Sequence, residues 1–120
     1  MRAYGMLVRP QMALVMLALM GPAHALSPEG SRAVLEAIRT GEIVGAAAAC
    51  RAPDDRLIGV GRKVIHGIRA MAKSEAELER ARVRHEQAVQ RGAAKAKARQ
   101  ITCEAALAAL MELEREPSPS

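Results

Sequence analysis

An all-α fold, a small bundle of three to four helices behind a cleaved signal peptide, is what this 120-residue sequence predicts. Three observations carry the prediction. Leu57, Val60, Val64, Ile68 and Met71 recur at spacings of three and four, which is one face of a helix with 3.6 residues per turn. Helix-start signals stand at Ser27-Pro28, at Pro53-Asp54-Asp55 and at Ser74-Glu75-Ala76-Glu77. Two cysteines, Cys50 and Cys103, lie far apart in the chain and outside any short motif, a pattern that suits one covalent staple.

Residues 1–25 read as the signal peptide. Arg2 and Arg9 form the positive n-region, Met12 to Met20 is an unbroken apolar run, Gly21-Pro22 breaks it, and Ala23-His24-Ala25 is a small-residue cleavage site. The apolar run is too short to span a bilayer, which takes ~20 residues, so the mature chain is expected to carry no transmembrane segment. Cleavage after Ala25 leaves 95 of the 120 residues and removes two cations, lowering the net charge from +5 to +3. Tyr4 leaves with the peptide. With no Phe or Trp in the sequence, the mature chain keeps no aromatic side chain except His66 and His85. Stacking platforms for single-stranded nucleic acid and aromatic cages for sugars or quaternary ammonium groups are therefore absent. No nucleic-acid partner is expected.

The helical domain is expected over 26–115. Its first helix opens at Ser27-Pro28, with a capping residue before proline at the first helical position. Val34, Leu35 and Ile38 make its apolar face, and Thr40-Gly41 weakens it. Gly41, Gly45 and Ala49 repeat every four residues, a stripe that admits another backbone closely. In a membrane it would suggest helix dimerisation; in so short an apolar stretch it reads as tight packing in the core, with a homodimer through the stripe left open.

The stretch from Cys50 to Met71 holds the most regular stripe, and its helix reads as the central element. Asp54 or Asp55 is expected to cap it by accepting backbone N–H bonds while meeting the positive end of the helix dipole. Ile58 and Ile65 widen the stripe. Gly59, Gly61 and Gly67 match no phosphate-binding pattern, since no strand precedes them, and read as close packing or a kink.

Ser74-x-x-Glu77 is a capping box, and Leu78, Ala81, His85, Ala88 and Gly92 share a face of the helix that follows. The run from Gly92 to Arg99 holds Lys95, Lys97 and Arg99 with no acid. It reads as a solvated turn; its functional reading is a docking patch for an acidic partner or a membrane surface. A last helix is expected from about Gln100 to Glu114, with Cys103, Leu107, Leu110 and Met111 as its stripe. Residues 116–120 read as a disordered tail.

In an oxidising compartment Cys50 and Cys103 read as a structural disulfide. A zinc site of Cys50, His66, His85 and Cys103 lacks the short ligand spacings of zinc motifs, and neither C-x-x-C nor C-x-x-C-H occurs, so no metal or cofactor is expected. The few hydroxyls, Ser27, Ser31, Thr40, Ser74, Thr102 and the tail serines, lie in no nucleophile elbow. The expectation is a non-enzymatic bacterial protein, periplasmic or secreted, that binds a protein or envelope component. The alternative is a carrier of a small ligand, haem or metal through His66 or His85 inside the bundle.

Overall fold

A computed structural model describes residues 31–118. The signal-peptide assignment, with Ala23 and Ala25, and the Ser27-Pro28 helix start lie outside the described residues. Within them the fold is all-α, with four helices: α1 Arg32–Ala49, α2 Asp54–Met71, α3 Glu75–Lys97 and α4 Cys103–Arg115.

α1 begins at Ser31, whose hydroxyl accepts the Val34 N–H at 3.1 Å. It runs unbroken through Thr40-Gly41. The buried Thr40 hydroxyl donates to the Glu36 carbonyl at 2.8 Å, a back-bond that satisfies it inside the helix. The centre of the bundle is α1, which packs against each of the other three helices, whereas α2 and α3 meet only marginally. The regular stripe of α2 suggested that α2 would take this place. The difference lies in side-chain size: α1 buries Ala33, Val34, Ala37, Thr40, Gly41, Gly45, Ala46 and Ala47, small residues that carry a weak apolar signal yet let neighbours crowd around it.

Among the described helices, α1 and α3 form the closest seam. A Cβ added to Gly41 would lie 2.7 Å from the His85 carbonyl oxygen and 2.8 Å from the Ala88 methyl. One on Gly45 would overlap the Val89 carbonyl, and one on Gly92 the Glu42 carbonyl. Gly41 and Gly45 of α1 and the His85, Ala88, Val89 and Gly92 turns of α3 thus form one close contact of the two backbones.

On α2, Val60, Val64 and Ile68 are buried, and Leu57 and Met71 pack at the edge of the core. Ile58, counted with that stripe in the sequence, is 57% exposed, and Met111 of α4 is 45% exposed. α2 and α4 each bury a single face, and these two side chains fall beyond it. Gly59 and Gly61 have open space where a side chain would stand, so close packing does not account for them. The residue preceding α2 is Pro53, and no side chain caps the helix. Asp54 and Asp55 lie in its first turn, where their charge favours the helix dipole without the expected cap bond.

The α3 start is as the capping box predicts: the Ser74 hydroxyl accepts the Glu77 N–H at 3.1 Å. The Glu77 carboxylate in turn accepts the Lys73 N–H at 3.0 Å. α3 continues through Gly92 to Lys97, and α4 starts at Cys103 behind Thr102, whose hydroxyl accepts the Ala105 N–H.

α4 runs back along α1. Cys103 at its start is disulfide-bonded to Cys50 at the end of α1, with a Cα–Cα distance of 5.4 Å, within the usual range for a bridge. At its other end three cations hold it. Arg56 grips Glu114 with two bonds of 2.5 and 3.1 Å. Arg39 grips Glu116 with two of 2.7 and 3.2 Å while also pairing with Glu36. Lys63 donates to the carbonyls of Leu113 and Glu114 at 3.0 Å each and to that of Glu116. An ammonium in this position satisfies carbonyls left open at the helix end and meets its negative pole. Glu116, assigned to the tail from sequence, is part of this clamp.

Candidate functional site

α1 and α3 end in the same way, and both ends carry arginine. The Ala52 N–H donates to the Ala47 carbonyl and the Arg51 N–H to the Ala48 carbonyl; the Gln100 N–H donates to the Lys95 carbonyl and the Arg99 N–H to the Ala96 carbonyl. Each set is a Schellman motif. The residue in its left-handed position is Arg51 (φ 63°) or Arg99 (φ 59°), where glycine is the low-strain choice. Both arginines are exposed. Arg51 follows Cys50 directly and Arg99 precedes Cys103 by four residues, so the disulfide draws the two loops to one end of the bundle.

Beside that end α1, α3 and α4 enclose a groove of about 250 Å³. Ile43 and Ala46 come from α1, Ile101 from the loop before α4, and Ala106 and Ala109 from α4. Their spacing explains the convergence: Ile43 and Ala46 are one turn apart on α1, Ala106 and Ala109 one turn apart on α4, and the disulfide holds the two turns side by side. Gly92 lines the groove from α3, where its backbone lies against that of Glu42. Arg39, Glu42 and Lys95 form the rim.

The rim is largely neutralised within itself. Glu42 pairs with Arg91 and Lys95 at 3.4 Å each, and Arg39 is engaged by Glu36 and Glu116. Of the basic run, Lys95 therefore belongs to a rim pair. Lys97 lies in the last turn of α3, and Arg99 follows in the loop; both are exposed. The sequence marked these cations but not the apolar floor beside them. The signal that could have found it is modest: Ile43 and Ala46 lie one turn apart on α1, and Ile101 flanks the last helix.

The histidines go elsewhere. His66 is exposed on α2, and His85 is partly buried on α3 beside Gly41. Its Nε2 is buried without a hydrogen-bond partner, and burial pushes its pKa below the ordinary 6.5, against a smaller upward pull from Glu86. Cys50 and Cys103 are joined to each other. Among the described residues no three His, Cys, Asp or Glu side chains converge as a metal site, and no helix is long and apolar enough to cross a membrane.

A recess of about 110 Å³ between α1, α2 and the end of α4 is lined by Glu36, Thr40, Lys63, Val64, Gly67, Met71 and Leu113, with Glu116 and Pro117 at its edge. It is walled by the clamp on α4 and is smaller than the groove. The ~300–1,000 Å³ typical of small-molecule clefts exceeds both, so the groove suits one or two apolar side chains of a larger partner better than a whole cofactor. Comparison with protein-family models, with curated proteins and with solved structures finds no match for this chain.

Proposed function

We propose that this chain is an exported, non-enzymatic helical module that binds a protein of the cell envelope or its surroundings, and that the groove between α1, α3 and α4 is where it does so. The observation that carries the reading is the groove itself: an apolar floor of Ile43, Ala46, Ile101, Ala106 and Ala109 within a charged rim, the arrangement by which helical proteins seat an apolar side chain of a partner. Export is supported by the leader-like residues 1–25 and by the disulfide, since such bonds persist in oxidising compartments. A photo-crosslinking residue at Ala109 tests the site. The expected outcome is one adduct in the exported fraction, lost when Ile101 is changed to Glu; adducts equally abundant from a crosslinker at Gly59, on the far exposed face of α2, would refute a specific groove.

A further inference from the structure

We infer that the segment held by this groove is an acidic amphipathic stretch of polypeptide, an inference that rests on the groove reading above. Charge complementarity argues it. Arg39, Arg91 and Lys95 have acidic partners within the protein, but Lys97 and Arg99, which lie in sequence between the lining Lys95 and Ile101, and Arg51 at the other loop of the disulfide end, have none among the described residues. Two uncompensated cations, Lys97 and Arg99, therefore stand within two residues of the lining Lys95 and Ile101, next to a floor that is itself apolar.

Two of these cations also stand where the backbone disfavours them. Arg51 and Arg99 take left-handed φ values at matching positions of two Schellman ends, and strain of that kind persists where another requirement outweighs it. Both guanidinium groups meet the negative pole of the helix they follow, but a lysine or arginine one residue earlier would do so without strain. The shared placement leaves two cations at the disulfide end, projecting from loops that the bridge pins together.

A protein segment fits better than a lipid surface. A bilayer presents phosphates to protruding cations but cannot enter a recess, and insertion into it needs large apolar side chains protruding beside the cations. The large exposed apolar residues Leu35, Ile58, Val83 and Met111 instead lie on four different helices, whereas the floor beside Lys97 and Arg99 is concave. An apolar side chain in the floor with carboxylates on either side satisfies both features at once.

The test uses the purified protein with its disulfide intact and three synthetic helical peptides sharing one leucine stripe. The remaining positions carry Glu in the first, Gln in the second and Lys in the third. The Glu peptide is expected to bind saturably, and the Lys peptide not at all. Lys97→Glu with Arg99→Glu should weaken the Glu peptide by about tenfold or more, and rising salt should weaken it in the unchanged protein. Ala109→Phe, which fills the groove, should weaken both Glu and Gln peptides by about tenfold; Ala109→Leu replaces it if the helical spectrum changes. Equal affinity for Glu and Gln peptides, unaffected by charge reversal but blocked by Ala109→Phe, would overturn the acidic chemistry and leave the groove standing. Loss on charge reversal with no effect of either Ala109 variant would overturn the groove reading and the inference with it. Failure of all three peptides alongside binding to phosphatidylglycerol vesicles would overturn both in favour of a membrane.

Discussion

Gly45 and Val89 stand so close that a methyl group on Gly45 would overlap the Val89 carbonyl oxygen. The neighbour is backbone, which cannot swing aside, so Gly45→Ala must push α1 and α3 apart. Overpacking costs ~1–3 kcal/mol when the surroundings yield a little, and here it opens the tightest seam in the bundle. We expect Gly45→Ala and Gly92→Ala each to destabilise by about 3 kcal/mol, read as a lower urea midpoint. Gly59→Ala and Gly61→Ala should do the opposite, because nothing stands within 4 Å of the added methyl at either site and alanine is favoured over glycine in a helix interior by about 1 kcal/mol. A common sign for all four variants would refute the close seam.

The bridge between Cys50 and Cys103 closes a sequence separation of 53 residues. In the chain-entropy model such a closure stabilises by ~4 kcal/mol, a large share of the ~5–15 kcal/mol of an ordinary domain. Urea unfolding with and without reductant is expected to differ by that order. Reduction should also free the start of α4 before its end, since Lys63, Arg39 and Arg56 hold the other terminus independently. Hydrogen exchange in the reduced protein should therefore rise over 101–107 ahead of 110–115.

Lys63 reaches from α2 to the carbonyls of Leu113, Glu114 and Glu116. Hydrogen bonds from a charged donor contribute ~1.5–3 kcal/mol in partly buried settings, and the site is half exposed, so the low end applies. Lys63→Met keeps the apolar stem and removes the donor. We expect a loss of about 1.5 kcal/mol with faster exchange confined to the last turn of α4; an unchanged midpoint would show that water caps that end equally well.

What the sequence made legible were features set by neighbours along the chain: the Val60, Val64, Ile68 stripe, the Ser74 cap, the Gly41 and Gly45 positions of closest approach and the cysteine pair. What it hid depends on residues far apart. The centrality of α1 was obscured because alanine and glycine give little apolar signal even where most of them are buried. Lys63 as a cap for α4 bridges fifty residues, and no local pattern announces it. Arg51 and Arg99 take a backbone position that glycine normally marks, so the two helix ends lacked that stop signal, and the groove floor is assembled from three separate segments.

Stability should fall in two separate steps as pH drops. His85 is held below its ordinary value of 6.5 by burial at the α1–α3 seam, so the unfolded chain takes up its proton first. The stability this provides is present above pH 6.5 and is lost as pH falls from there through the folded-state value. Glu114 and Glu116 are held below their ordinary 4.5 by hydrogen bonds from Arg56 and Arg39 respectively; their contribution is present above pH 4.5 and lost below it. His85→Gln should flatten the upper step and leave the lower one. If the upper step survives in that variant, another group titrates there.

Arg99→Gly separates stability from binding more sharply than any other change. Glycine takes a φ of 59° without the clash of a Cβ against the carbonyl, a relief of ~1–2 kcal/mol, offset by the ~0.5–1 kcal/mol that its greater freedom in the unfolded chain costs. The Schellman bonds from Arg99 and Gln100 are backbone bonds and survive the change. The net expectation is a gain of about 0.5–1 kcal/mol in urea unfolding, with the same sign for Arg51→Gly at the matching position. Arg99→Gly also deletes a cation two residues from the lining Ile101, so affinity for the Glu-bearing peptide should drop while stability rises. A protein that gained stability at no loss of binding would show that the two arginines serve only their helix ends; one that lost both would show that the guanidinium groups hold the loops in place. Opposite movement of the two quantities is the result expected of strain kept for the sake of a partner.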